Sequence, residues 1–144
     1  SIGSFVADGQ SCMLWNRKTS TGDIVIIRYN SVGIGSISTN GSSVSYNTTS
    51  DYRLKEDLKE LNGLSKVLAI KTYDYKWKNS NERMDGVIAH ELAEVLPYAV
   101  NGVKDAINKD GNINAQGVDY SKLVPVLVKA IQELKAEIDE LKNK

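Results

Sequence analysis

The sequence predicts an α+β chain: a Gly/Ser-rich, β-structured segment over residues 1–49, then a small α/β domain over residues 50–144 with a long C-terminal helix over 119–143. Three observations carry this. Before residue 50, Gly3, Gly9, Gly22, Gly33, Gly35 and Gly41 fall among many Ser, Thr and Asn, with short β-branched runs between them. Beyond it, Leu54, Leu58, Leu61, Leu64 and Leu68 recur at spacings of three and four, which makes one apolar helical face. Near the end, Val124, Leu127, Ile131, Leu134, Ile138 and Leu141 alternate the same spacings with Lys, Glu, Gln and Asp between them, the pattern of a heptad seam.

In the first segment, Asp23-Ile24-Val25-Ile26-Ile27-Arg28-Tyr29 reads as a strand, and Val32, Ile34 and Ile37 carry a period-2 pattern through the glycines. Ser20-Thr21-Gly22-Asp23 and Thr39-Asn40-Gly41 read as turns. Few large apolar residues are available to close a core here. Strands this rich in Gly and Ser are expected to pack against neighbouring chains, the plainer alternative being a small sandwich or an exposed arm.

The second segment opens with a helix over 51–68, which Asn62-Gly63 is expected to break in two. Ile70 to Trp77 alternates, with Tyr73, Tyr75 and Trp77 on one side, and predicts a strand followed by a turn at Asn79-Ser80-Asn81. Val87 to Val95 predicts a helix with Ile88, Leu92, Val95 and Leu96 inward, stopped by Pro97. Val100 and Val103 predict a short strand, and Lys109-Asp110-Gly111 a hairpin before Ile113. Asp119 is placed to cap the last helix. Pro125 then falls in its second turn and implies a bent or late-starting first turn.

Composition narrows the function classes. The 18 basic and 18 acidic residues balance, which argues against a dedicated nucleic-acid-binding domain. Cys12 is the one cysteine, so the chain has no internal disulfide and no thiolate metal site. No apolar run approaches a membrane span, and no basic stretch followed by an apolar one marks a secretion signal. The abrupt start at Ser1 is expected of a piece cut from a longer protein.

One short stretch carries chemistry. Thr49-Ser50-Asp51-Tyr52-Arg53-Leu54-Lys55-Glu56 holds a hydroxyl, carboxylates and two bases. If a helix begins near Asp51, Ser50 is its N-cap and Asp51 complements the helix dipole, which is ordinary helix-start chemistry. A catalytic reading instead needs Lys55 to curl back to Ser50 and take its hydroxyl proton as a neutral amine. The five-residue spacing, slightly more than one helical turn, permits that.

The run Ser50-Asp51-Tyr52-Arg53-Leu54-Lys55-Glu56 resembles the signature of the endosialidase-type intramolecular chaperones, the peptidase S74 family. Gly86-Val87-Ile88-Ala89-His90-Glu91-Leu92 with Leu96-Pro97 resembles the family's central helix motif. Val118-Asp119-Tyr120-Ser121-Lys122-Leu123-Val124-Pro125 resembles the approach to its C-terminal helix. The resemblance spans Ser50 to about Leu141, and the segment before it is similar to stems of phage tail fibres and tailspikes. It implies a domain at the C-terminus of a fibre chain that trimerises in parallel, aligns the stem and cuts itself off. Carried onto this sequence, it implies cleavage of Thr49–Ser50, with Ser50 as nucleophile and Lys55 as general base. Asp51, Arg53 and Glu56 would support the site, Asp51 and Arg53 by orienting the loop or binding a neighbouring chain. The implied partners are two further copies and the rest of the fibre chain, without nucleic acid, membrane, metal or cofactor. The chaperone would act in the host bacterial cytoplasm and the stem would remain in the virion tail. The alternatives are a trimeric fibre tip that does not cleave and a module that binds a host receptor.

The heptad seam bears on the trimer. Val124, Ile131 and Ile138 occupy one position and Leu127, Leu134 and Leu141 the other, a choice that ordinarily favours a parallel dimer. Three heptads are too few to dictate the symmetry of the whole molecule, so the stem and the globular part are expected to decide it. Other residues carry less. One histidine, His90, beside Glu91 makes no metal site, and a partly exposed or interchain position suits it better. Tyr73, Tyr75 and Trp77 lack a basic patch and read as sheet or interface packing rather than a sugar or base platform. Asp110-Gly111-Asn112 is too short for a calcium loop.

Overall fold

The computed structural model describes residues 13–143; Gly3, Gly9 and Cys12 lie outside them. The chain is α+β and divides into two compact units, Ser1–Leu58 and Lys59–Lys144.

The first unit is built on an antiparallel meander, β1 (Gly22–Tyr29), β2 (Val32–Thr39) and β3 (Val44–Thr48), in that order. Asn30 and Ser31 turn the chain between β1 and β2 with φ of 47° and 67°. Two successive positive φ values match the right-handed twist of hairpin strands. The expected Thr39-Asn40-Gly41 turn forms, and Asn40 Oδ1 accepts from the backbone N–H groups of Ser42 and Ser43. β3 has no counterpart among the predicted strands, although Val44 and Tyr46 alternate with Ser45 and Asn47. None of the described residues of this unit is buried, and Ile26, Ile27, Tyr29, Val32, Val44 and Tyr46 are all exposed.

The helix expected over 51–68 does not form as one element. Tyr52–Leu54 make a single 3₁₀ turn, Asp57 takes a left-handed φ of 52°, and Leu54 and Leu58 are exposed. A leucine face stabilises a helix only against a surface, and a short helix without one is marginal in water. Asn62-Gly63 does divide the stretch as expected, and only the second part is an α-helix. Gly63 opens α1 (Gly63–Ala69).

In the second unit, Leu92, Leu96, Ala99 and Val126 form the core, flanked by half-buried Leu61, Val67, Ile70, Val87, Val95, Val100, Val118 and Leu123. Burial of each leucine contributes about 1.5–3 kcal/mol. Leu92 lies in α2 (Ala89–Val95), which Pro97 follows as expected. Ile88 is exposed rather than inward, because it is the extended residue before the helix and so falls outside its period. The strand expected over 70–77 narrows to β4 (Tyr73–Lys76), paired with β5 (Arg83–Gly86). Val100–Asn101 form β6, paired with β7 (Gly117–Val118). Val103 does not extend β6, since Gly102 at φ 87° turns the chain away and leaves Val103 exposed. The hairpin expected around Lys109-Asp110-Gly111 is present, with Ile107 bridged to Ile113.

The last helix, α3 (Val124–Lys142), starts later than residue 119. Asp119 caps a 3₁₀ turn, Tyr120–Leu123, by accepting from the Ser121 N–H, and Pro125 sits in the first turn of α3 rather than the second. A proline there removes no helical hydrogen bond. Val126 and Ala130 are buried, and α3 packs on α1. Gly63 is required at that crossing: a Cβ on it would stand 2.7 Å from Val126 O and from Lys129 Cβ, and nearer still to Ala130 N. The seam residues Val124, Leu127, Ile131, Leu134, Ile138 and Leu141 are 43–70 % exposed and occupy a different face.

Candidate functional site

The segment Thr49 to Lys55 leaves the end of β3 and closes at once into the 3₁₀ turn. Asp51, not Ser50, is the cap: its Oδ1 accepts from the Arg53 N–H at 2.9 Å. The carboxylate also takes Arg53 Nε at 3.0 Å and Nη2 at 2.7 Å, a bidentate pair. Asp51 wins the capping role because its two oxygens satisfy the backbone donor and the guanidinium together. The Arg53 guanidinium, and then its N–H, hold the Asp51 carboxyl below its ordinary value, while Asp51 raises Arg53.

Freed from capping, Ser50 meets the other end of the turn. Lys55 ends it with its own N–H donating to Tyr52 O at 3.1 Å. One 3₁₀ turn advances the chain little and brings residue 55 back toward residue 50. Lys55 Nζ donates to Ser50 Oγ at 2.6 Å. The predicted pair is thus in direct contact, on exposed side chains. On the other side of the peptide, Thr49 N donates to Ile34 O at 3.2 Å and Thr49 Oγ1 to Gly33 O at 3.4 Å. Glu56 lies just past the turn and is exposed. A hydroxyl and an amine are thus in contact next to a peptide whose Thr49 side is tied to the neighbouring strand.

Glu91, within the second motif, has a role that sequence reasoning missed. Its Oε2 accepts from the Tyr73 hydroxyl at 2.7 Å and its Oε1 from Lys71 Nζ at 3.4 Å, tying α2 to β4. The Tyr73 hydrogen bond leads the effects that hold the Glu91 carboxyl below its ordinary value, and Glu91 in turn raises Lys71 and Tyr73. Glu133 was missed too. Its carboxylate accepts from Leu64 N at 2.6 Å and Gly63 N at 3.3 Å, capping α1 from α3. Spacing within one helix gives no sign of either partner.

His90 is half-buried, and among the described residues no group of three His, Cys, Asp or Glu stands ready to hold a metal ion. Tyr75 and Trp77 pack edge to face, with centroids 5.4 Å apart. They line a cleft of about 640 Å³ with Tyr73, Tyr120, Lys76 and Lys78, so lysines do accompany the aromatics. Among the described residues no helix is long and apolar enough to cross a membrane.

Residues 50–101, which begin at Ser50 and run through α2, match the peptidase S74 family, described as the chaperone of endosialidase. The chain therefore carries a domain of that family. The matched residues hold the first two motifs and stop short of the third, at Val118–Pro125. The chain is also similar to the long tail fiber protein Gp37 of Enterobacteria phage Ox2, at 39% identity over 112 residues, 72% of this chain and 43% of that protein. Gp37 of Enterobacteria phage M1 is 40% identical over 102 residues, 65% of this chain and 39% of that protein. The chain spans less than half the length of these relatives.

Proposed function

We propose that this chain is the end of a phage tail fibre together with its intramolecular chaperone, which assembles as a parallel homotrimer and then releases itself by cutting Thr49–Ser50. The observation that carries the cleavage is the 2.6 Å contact between Lys55 Nζ and Ser50 Oγ, one residue from the bond. Once Lys55 has lost a proton, the same contact reverses, and the amine accepts the hydroxyl proton as Oγ bonds to the Thr49 carbonyl carbon. The attack closes a small ring through Oγ, Cβ, Cα, N and that carbon, so little entropy is lost in bringing the groups together. The C–N bond then breaks, the Ser50 nitrogen takes the proton from Lys55, and Thr49 is held as an ester on Oγ. Water hydrolyses the ester, leaving a Thr49 carboxylate and a chaperone that begins at Ser50. Backbone N–H groups near the start of the turn are the first candidates to stabilise the oxyanion. Asp51 and Arg53 lock the turn that presents Lys55. No cofactor enters any step.

Two features favour self-association. The first unit exposes apolar side chains on a sheet with no buried residue among those described, and the seam of α3 is exposed along its whole length. Both are surfaces that a trimer would cover. The stem would stay in the virion tail, joined to the remainder of the fibre chain, and the chaperone would act in the host cytoplasm.

Denaturing mass spectrometry of the purified protein tests the cut. Two masses that divide the chain at Thr49–Ser50 are expected, and a single intact mass would refute it. Ser50→Ala and Lys55→Ala are each expected to give one intact mass while light scattering still reports the trimer. Loss of the trimer in both would contradict the separation of chemistry from folding.

A further inference from the structure

The acyl side of the proposed scissile bond is held by the sheet. Thr49 continues the β2–β3 ladder beyond its last pair, Gly35↔Thr48, through its bonds to the carbonyls of Ile34 and Gly33. That ladder has little to fix its register, because β2 reads Val-Gly-Ile-Gly-Ser-Ile-Ser-Thr and neither strand contributes a buried residue. Gly-rich strands without a buried face are prone to slip, and a slip of one residue turns every side chain to the other face. One side chain opposes this. Asn47 Nδ2 donates to Ser36 Oγ at 3.1 Å, directly across the ladder, and to Ser38 Oγ at 2.9 Å, the next residue on the same face. Gly35 lets the strands close beside it, since a Cβ there would stand 2.7 Å from Asn47 O.

We infer that Asn47, clasping Ser36 and Ser38, is a positioning residue for the self-cleavage. It sets the β2–β3 register, which anchors Thr49 on Ile34 and Gly33 and so fixes the acyl side of the peptide that Ser50 must attack, and the cut proceeds only when the sheet before it is paired correctly. This rests on the proposed cleavage at Thr49–Ser50. Every group involved, from Gly33 to Lys55, lies in the first unit. A slipped register would carry Thr49 away from Ile34 while leaving the Ser50–Lys55 turn intact, so the chemistry itself reads the alignment.

The test measures the cleavage rate of the full chain by denaturing mass spectrometry for wild type, Asn47→Ala, Asn47→Asp and Gly35→Ala. Asn47→Ala and Gly35→Ala are expected to cleave on the order of 10²-fold more slowly, as for a misplacement of about 1 Å. Asn47→Asp puts a carboxylate oxygen where the Nδ2 donor stood, and the Ser36 and Ser38 hydroxyls can rotate to donate to it, so it should recover most of the rate. The pH profile of the slowed variants should keep the wild-type shape, because the Ser50–Lys55 pair is untouched. Equal rates in wild type and Asn47→Ala would overturn the inference and leave the cleavage reading standing. So would a rate in Asn47→Asp as low as in Asn47→Ala. A wild type that never cleaves would overturn both. Should Gly35→Ala fail to fold, the comparison of the two Asn47 variants decides alone.

Discussion

Substituting Gly63 by alanine should loosen the α1–α3 crossing by an amount the geometry sets. The new Cβ would stand 2.7 Å from Val126 O and Lys129 Cβ, against an ordinary contact of 3.4 Å. Val126 O and the nearer Ala130 N are backbone atoms that no rotamer change can move, so the helices must part by at least roughly 0.7 Å, the difference between those distances. A separation of that size takes Glu133 Oε1, now 3.3 Å from Gly63 N, out of hydrogen-bond range and stretches the 2.6 Å bond to Leu64 N. Overpacking of this kind costs about 1–3 kcal/mol. Against it stands a gain of about 0.4–1 kcal/mol from a stiffer unfolded chain. A net loss near 1–2 kcal/mol lowers Tm by roughly 4 °C or more for a unit of this size. Thermal unfolding followed by circular dichroism, at matched protein concentration because assembly contributes, measures it. A Tm equal to or above wild type would refute the close crossing and with it the reason for glycine at this position.

Three further outcomes are expected. Because the folded Glu91 carboxyl titrates below its ordinary value, its tie to Tyr73 and Lys71 is fully present above the unfolded carboxylate pKa of about 4.3 and is lost as pH falls through the lower folded value. Glu91→Gln should therefore remove part of the acid dependence of unfolding, and an unchanged acid limb would count against the tie. Truncation after Ala130 removes Ile131, Leu134, Ile138 and Leu141, together with the Glu133 cap on α1, and should weaken the trimer without changing its order. Sedimentation equilibrium should give about 47 kDa, three chains of 15.8 kDa, for the full chain, and a mass of two chains would show that the seam governs. Cleavage should proceed unchanged in a metal chelator, and a requirement for added divalent metal would contradict the serine–lysine chemistry.

What was legible in the sequence was what local chemistry decides. The strand at Asp23–Tyr29, the Thr39–Gly41 turn, the hairpin before Ile113 and the long last helix each follow from side-chain period and turn residues within a few positions. The Ser50–Lys55 contact was also within reach, since five residues and one tight turn are a local matter. The leucine stripe over 51–68 misled because period states which face would be apolar and not whether a surface exists to receive it. Asn62-Gly63 did mark where the second helix begins, but gave no sign that Gly63 also answers a steric demand from α3, distant in the chain. Tyr73 with Glu91, Glu133 with Leu64, and Asn47 with its two serines are likewise tertiary pairings that no local pattern announces.

The cap on α1 has a consequence in time. Seven residues are too few to hold a helix alone, and α1 draws its N-terminal hydrogen bonds from Glu133, 69 and 70 residues further along the chain. During synthesis, the stretch that includes Gly63 and Leu64 leaves the ribosome long before the residues that complete it exist. It stays unfinished until α3 has been made, however early the sheet before it has paired. A nascent chain stalled short of Glu133 should consequently show α1 open to proteases, and release of the last turns of α3 should close it.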